Sequence, residues 1–569
     1  MADFRRFLPA LVLFALIAMV SVPASAQTAF TCVNNAGVPP TVRAEGITEL
    51  VGDIVLNCSG STGVVPASGI IANVQIFLNT NVTSRLIPAL GTNILESLLI
   101  LNEGVPTVSA ANPFFPGTLA GANSVVWLGV PILAPGSTSS IIRITNVRAN
   151  ASAVSSINPN LPSSLIPAQI VAFISITGST SVPVNNPQQI VAFAQQGLVS
   201  SMTSANYKQC VTATSDSSTQ PSPMPGFTFT EGFASSFKTM YQTLAAADGL
   251  VGRGTGPSTP GVAYYDEGGF MTSVAGVGSA SQGTQLQVVF TNIPAGATVN
   301  VPTIIGTGAG SYAWLVNNSA TNPGFIASAP YALTASGTTA TATYEVGADN
   351  PFALDTFTGS FWLSYTSNPA NGVPSLSPPA MSAALSFAPI STVTTASSTA
   401  PIPRFVNTGV AASIVTVNAC VTNLLYPYAT TVTGFDTGLA IANTGVDITG
   451  LSTTSPGQSG TCTIYMFGTG APATAPMTGT IAAGTVYAWS LYNGSVDAAV
   501  PSVPDFSGYV IARCNFQYAH GYAFISNLGL GPTGWAQSYL ALVIPDRGGD
   551  RPPDGFTTAL PGSGEILSQ

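Results

Sequence analysis

The chain has 569 residues, 46% of them hydrophobic, but only 6% are charged and the formal net charge is −9. An average soluble protein is roughly 25% charged. This length predicts several domains. The lack of clustered Lys and Arg excludes nucleic acid and anionic membrane surfaces as partners.

Residues 1–26 have the pattern of a secretory signal peptide. Arg5 and Arg6 form a basic start, Leu8–Val20 an apolar run, and Ala24-Ser25-Ala26 a small-residue cleavage site that leaves Gln27 first. Losing this leader makes the chain slightly more acidic. No second long apolar run follows, so the mature protein is expected to be exported and not integral to a membrane.

Six cysteines in an exported chain predict three disulfides. Chain order suggests Cys32–Cys58 in the first domain and Cys462–Cys514 in the last. Cys210 and Cys420 are left, and a bond between them is expected to tie the first and third domains. No cysteine or histidine set has zinc spacing.

The first unit is expected over 27–215. Val51–Cys58, Ile70–Leu78, Ser124–Val130, Ile141–Val147 and Ile170–Thr177 are β-branched runs of strand length, separated by Gly, Pro, Asn and Ser. Ile170-Val-Ala-Phe173 recurs as Ile190-Val-Ala-Phe193, which fits two neighbouring strands. No longer period suggests a repeat architecture.

Residues 216–226 are expected to be a Ser/Thr/Pro linker. The second unit, 227–395, opens with Phe227-Thr-Phe-Thr-Glu231. A short helix is predicted over Ser235–Ala247. Strands follow at Gln285–Thr291, Tyr312–Val316, Thr341–Val346 and Gly359–Tyr365. Residues 396–403 form the next expected linker.

The third unit, 404–546, contains strand runs at Ile414–Val421, Gly438–Asn443, Cys462–Phe467, Val486–Leu491, Gly508–Phe516, Tyr522–Ser526 and Tyr539–Ile544. The stretch Cys514-Asn-Phe-Gln-Tyr-Ala-His-Gly-Tyr-Ala-Phe524 holds the last cysteine and the only histidine. Its aromatics alternate, which predicts a closing strand with one packed face. Residues 547–569 are expected to be a loose tail. Three serial, disulfide-bonded β-sandwich domains of the immunoglobulin-like kind are the predicted fold class.

The segments Cys32–Cys58, Gly434-Phe-Asp-Thr-Gly-Leu-Ala-Ile-Ala-Asn443 and Cys514–Phe524 resemble those of uncharacterised secreted bacterial proteins. The resemblance implies export and a β-rich fold. It implies no activity and transfers no functional residue.

Candidate chemistry is sparse. His520 could serve a hydrolase only with a carboxylate and a nucleophile beside it, and no GxSxG elbow is present, so a structural role is expected. Glu45, Glu49 and Asp53 recur every fourth position, but Gly46, Thr48, Val51 and Gly52 oppose a helix that would gather them. Asp266-Glu267, beside Tyr264-Tyr265, suits sugar chemistry, yet adjacent carboxylates rarely face each other across a bond. A solvated turn is expected there. Asp349, Asn350 and Asp355 could offer oxygens to Ca²⁺ without the calcium-loop pattern.

No catalytic, cofactor-binding or metal-binding residue is therefore assigned, and no enzyme activity is expected. Sparse charge favours association. The leading expectation is a secreted structural protein that self-assembles, homopolymer-like, into an extracellular filament, tube or surface layer. The alternative is a monomeric cell-surface adhesin or glycan-binding module using Tyr264-Tyr265 or Tyr426-Pro427-Tyr428. An extracellular hydrolase is third.

Overall fold

A computed structural model describes residues 30–60, 69–102, 114–133, 139–155, 167–178, 182–216, 220, 223–240, 265–272, 274–306, 310–317, 324–326, 329–377, 379–446, 457–527 and 534–544. The predicted leader, most of the predicted helix, Tyr264 and the predicted tail lie outside the described residues.

The described chain is all β, interrupted by short 3-10 turns such as Pro88–Leu90 and Ala151–Ala153. Among these residues no helix is long and apolar enough to cross a membrane. Alternation drives the strands. In Ile70–Leu78, Ile70, Ala72, Val74, Ile76 and Leu78 turn inward while the residues between them face outward.

The first unit is an eleven-stranded sheet running from Val184–Asn185 and Thr31–Ala36 at one edge to Gln188–Gln195 and Thr41–Arg43 at the other. It encloses one core, with Phe30, Leu56, Trp127, Ile142 and Ile174 drawn from across the sheet. The second unit is a ten-stranded sheet with a three-stranded companion. Its core centres on Phe227, Phe229, Phe290, Tyr344 and Phe387.

The third unit is a two-sheet sandwich. One sheet orders Cys462–Thr469, Ser507–Cys514, Thr422–Thr430 and Leu542–Ile544. The other orders Gly494–Ser495, Val486–Ser490, Asp436–Asn443, Ala519–Ser526 and Ala536–Leu540. Leu424, Tyr426, Ile441, Trp489 and Phe516 fill the space between them.

Several boundaries differ from the sequence expectation. Leu198–Thr203 and Ala205–Lys208 precede the expected boundary at 215, yet both pair within the second sheet. Ala412–Asn418, placed in the third unit by sequence, also belongs there, pairing with Met381–Ala388 and, in parallel, with Ala205–Lys208. Hydrophobic pattern reports strand identity but not strand partner, so these strands could not be assigned to a sheet in advance.

The expected linker at 396–403 is no spacer. The Arg404 guanidinium gathers this stretch by donating to the carbonyls of Val393, Thr395 and Pro401. Leu86 N–H donates to Ser397 O, and Arg404 N–H to Thr48 Oγ1, both in the first unit. The described part of the predicted helix is turn and bend, followed by an isolated β-bridge from Thr239 to Asp266. Ser235 sits at φ +67 and Phe237 packs edge-on against Phe387, which pins the chain out of helical geometry.

The disulfides pair Cys32 with Cys58, Cys210 with Cys420, and Cys462 with Cys514. The first and last join directly opposed residues of neighbouring strands in one sheet, with Cα atoms 3.9 Å apart in each case. Cys210 and Cys420 follow the parallel pair Ala205–Lys208 and Ala412–Asn418. Their bond therefore clasps the end of the second sheet and does not join the first unit to the third.

Candidate interaction surface

Among the described residues, most of the charged side chains are buried. Of the described basic residues, Arg43, Arg143, Arg148, Lys238 and Arg404 are buried, so the solvent face is poorer in cations than composition suggests. Arg43, at the edge of the first sheet, lies between Glu49 and Glu267. Its Nη1 donates to Glu267 Oε1 at 2.7 Å and to Thr284 Oγ1 at 2.8 Å, and its guanidinium lies 4.8 Å over the Phe405 ring. Burial opposes the charge of Glu267, but Arg43 overrides it and holds the carboxyl below its usual range.

Asp266 and Glu267 are thus a buried pair and not the solvated turn expected from sequence. Glu267 binds across two units, where a turn would face water. Arg148 extends the junction by donating to Glu96 Oε1 and to Glu267 O. Asn146 exchanges two 2.7 Å hydrogen bonds with the Phe270 backbone. Nothing in the sequence marks the partners of Glu267 and Phe270, because Arg43, Arg148 and Asn146 lie more than a hundred residues from them.

Glu45, Glu49 and Asp53 go to separate partners. Glu45 accepts from Gly197 and Leu198 N–H, Glu49 from Arg43, and Asp53 from Arg143. Asp355 Oδ2 accepts from Asn350 N–H at 2.7 Å. Burial pushes the Glu231 carboxyl up to about 7 and that of Asp349 up to about 8, with Glu231 adding to the second shift. No group of three or more metal-ligating side chains occurs among the described residues.

Exposed apolar side chains occur on all three units, and the exposed aromatics are most frequent on the third. In Ala519–Ser526 the inward residues are Ala519, Gly521, Ala523 and Ile525, while Tyr522 and Phe524 point outward, each 43% exposed. The stretch predicted as one closing strand is two. One strand ends at Cys514, the chain bends through Phe516, and the next strand begins at Ala519 in the other sheet of the sandwich, where Tyr522 and Phe524 alternate but take the solvent face. Small residues fill the inside because Tyr426 crosses from the facing sheet. Its hydroxyl donates to Ala440 O, and it presses so closely on Gly521 that a Cβ there would meet it at 2.6 Å.

Tyr522 and Phe524 wall a shallow groove of about 460 Å³. Its floor is Gly438, Ala440 and Ala488, which the register sets in rows beside them. Val496 stands at the far wall. The next residue, Asp497, is exposed and accepts from the Tyr487 and Ser495 hydroxyls. These bonds hold its carboxyl below the usual range.

The outer face of the other sheet is also aromatic. Phe467 and Tyr509 stack with centroids 4.9 Å apart, and Tyr465, Ile511, Leu425 and Leu542 continue the row across four strands. Tyr465, Phe467 and Tyr509 are 40%, 41% and 42% exposed. Arg513 lies on this face, two residues beyond Ile511. It is the only Lys or Arg from 405 to 546. The strands of each sheet hold 28 residues together, which at about 3.3 Å rise and about 4.8 Å spacing makes each face roughly 440 Å² in plan. The aromatic rows form the apolar part of each face, and the largest apolar patch on a protein surface is often functional.

Among the aromatics named from sequence, Tyr426 is buried and Tyr428 exposed. Tyr265 packs 5.4 Å from Phe352. His520 faces outward opposite Ala442, one row from the groove.

No family model and no curated protein matches the chain. Among solved structures, it is similar to a partial N-terminal region of an enterococcal surface protein, at 8% identity and TM-score 0.15, covering 68% of this chain and 97% of that one. It is similar to the FN1–FN3 domains of chicken CNTN1 at 7% identity and TM-score 0.13, covering 88% and 99%. The CupB6 tip adhesin from Pseudomonas aeruginosa matches at 11% identity and TM-score 0.15, covering 69% and 99%. Scores this low carry no argument about function.

Proposed function

We propose that the protein is an exported structural component that self-associates through its C-terminal sandwich into an extracellular filament, tube or surface layer. The observation that carries this reading is the pair of aromatic faces on opposite sides of one domain. Opposed patches let each copy touch two neighbours, which a growing chain of subunits requires. The low surface charge offers little repulsion against such contacts. Export is supported by the leader pattern of residues 1–26 and by three disulfides.

A second reading is a monomeric glycan-binding or adhesive module at the cell surface. The flat row of Tyr465, Phe467 and Tyr509 favours it, because aromatic rings on an open sheet can stack against sugar faces. A hydrolase built on His520 ranks third, and no residue is assigned to such a reaction.

Sedimentation and negative-stain imaging of the purified mature chain separate the first two. Self-assembly predicts concentration-dependent polymers. A monomer that binds glycans on an array supports the second reading and overturns the first.

A further inference from the structure

We infer that the two faces of the C-terminal sandwich are mates for each other: the Phe467–Tyr509 ridge of one copy seats in the Gly438–Ala440–Ala488 groove of the next. The contact is therefore head-to-tail, so each added copy carries a free ridge at one side and a free groove at the other. This rests on the self-assembly reading and names the partner surface within it.

Three observations select a second copy as the occupant. The first is shape. One face presents a stacked ring pair standing off its sheet, and the other a groove floored by glycine and alanine between aromatic walls. Two copies of the ridge face would meet ring on ring and leave the groove empty.

The second is charge. Arg513 lies on the ridge face, and Asp497 follows a residue of the groove wall. The third unit has no other Lys or Arg, so a ridge-to-ridge pair would oppose its only cation to itself. A ridge-to-groove pair offers that cation a carboxylate. Asp497 already accepts from Tyr487, Ser495 and Ala499 N–H, which fixes its position at the rim.

The third is area. Each face is roughly 440 Å² in plan, below the ~800 Å² per partner of a standard interface, so the contact is a modest one whose occupancy rises with concentration.

The test uses the full mature chain. Phe467→Ser with Tyr509→Ser removes the ridge. Gly438→Leu fills the groove floor, and the nearest atom to a new Cβ there is 3.8 Å away, so the fold accommodates it. Circular dichroism and the melting temperature confirm that each variant is folded.

Sedimentation velocity is predicted to find each variant monomeric alone. An equimolar mixture should give a dimer and nothing longer, because the intact groove of one meets the intact ridge of the other. Arg513→Glu or Asp497→Lys alone should raise the concentration needed for assembly about tenfold. The two together in one chain should restore it.

Dimers from the groove-filled variant alone would overturn the inference in favour of a ridge-to-ridge contact. Unchanged polymers from both variants would place the contact elsewhere and overturn it, while leaving self-assembly standing. A wild-type chain that stays monomeric defeats the self-assembly reading itself.

Discussion

Arg43 and Glu267 meet at 2.7 Å although 224 residues separate them, joining the edge of the first sheet to the loop that precedes the central strands of the second. Both side chains are buried, and Glu49 and Thr284 complete the cluster. The first two units are thus held by an ion-pair junction against the Phe387 and Phe405 rings, with the apolar cluster of Phe270, Ile87 and Leu98 as a further contact between them.

Removing one member of such a cluster strands the others without water. Arg43→Ala is predicted to cost about 3–5 kcal/mol in urea unfolding. Arg43→Ala with Glu49→Gln and Glu267→Gln should cost less than the single change, because the carboxylates that Arg43 neutralises lose their charge with it, leaving buried Lys238 to Asp266. A single change that costs under about 1 kcal/mol would contradict the account.

The buried carboxyls predict a pH dependence with a definite sign. Glu231 titrates near 7 and Asp349 near 8 in the folded chain, against 4.5 and 3.8 as ordinary values. Below the ordinary values both states hold the protons and stability does not change from this source. Between those values and the folded ones, the native chain keeps protons that the unfolded chain has released, so stability falls as pH rises. The melting temperature is expected to be higher at pH 5 than at pH 8.5. Asp349→Asn should flatten that slope, and an unchanged slope would contradict the assignment.

The Cys210–Cys420 bond closes the longest covalent loop in the chain. Replacing both cysteines with serine is predicted to lower unfolding stability by about 2–5 kcal/mol. The loss should localise to the parallel pair of Ala205–Lys208 and Ala412–Asn418, read as faster amide exchange in those strands.

Strand runs were legible where alternation is clean, as in Ile70–Leu78 and Gly438–Asn443. Two runs read as single strands divide between sheets. Gly359–Tyr365 breaks at Phe361, and Tyr539–Ile544 breaks at Ala541. Pattern alone cannot locate a change of sheet, because alternation continues through it. Ile94–Leu101 was missed because it is buried on both faces and lacks alternation. The aromatic faces were half legible. The period of Tyr522 and Phe524 was visible, but the side they take depends on Tyr426 filling the core from the facing sheet. The buried charges were not legible, since most partners are distant in sequence and even Glu49, six residues from Arg43, shows its role only once the fold buries both.

The most direct test of self-assembly is sedimentation velocity of the purified mature chain over a wide concentration range, alongside the Tyr522→Ser, Phe524→Ser variant. The account predicts that the wild type forms species growing with concentration and that the variant stays monomeric with an unchanged melting temperature. A wild type that sediments as one monomer at every concentration would contradict it.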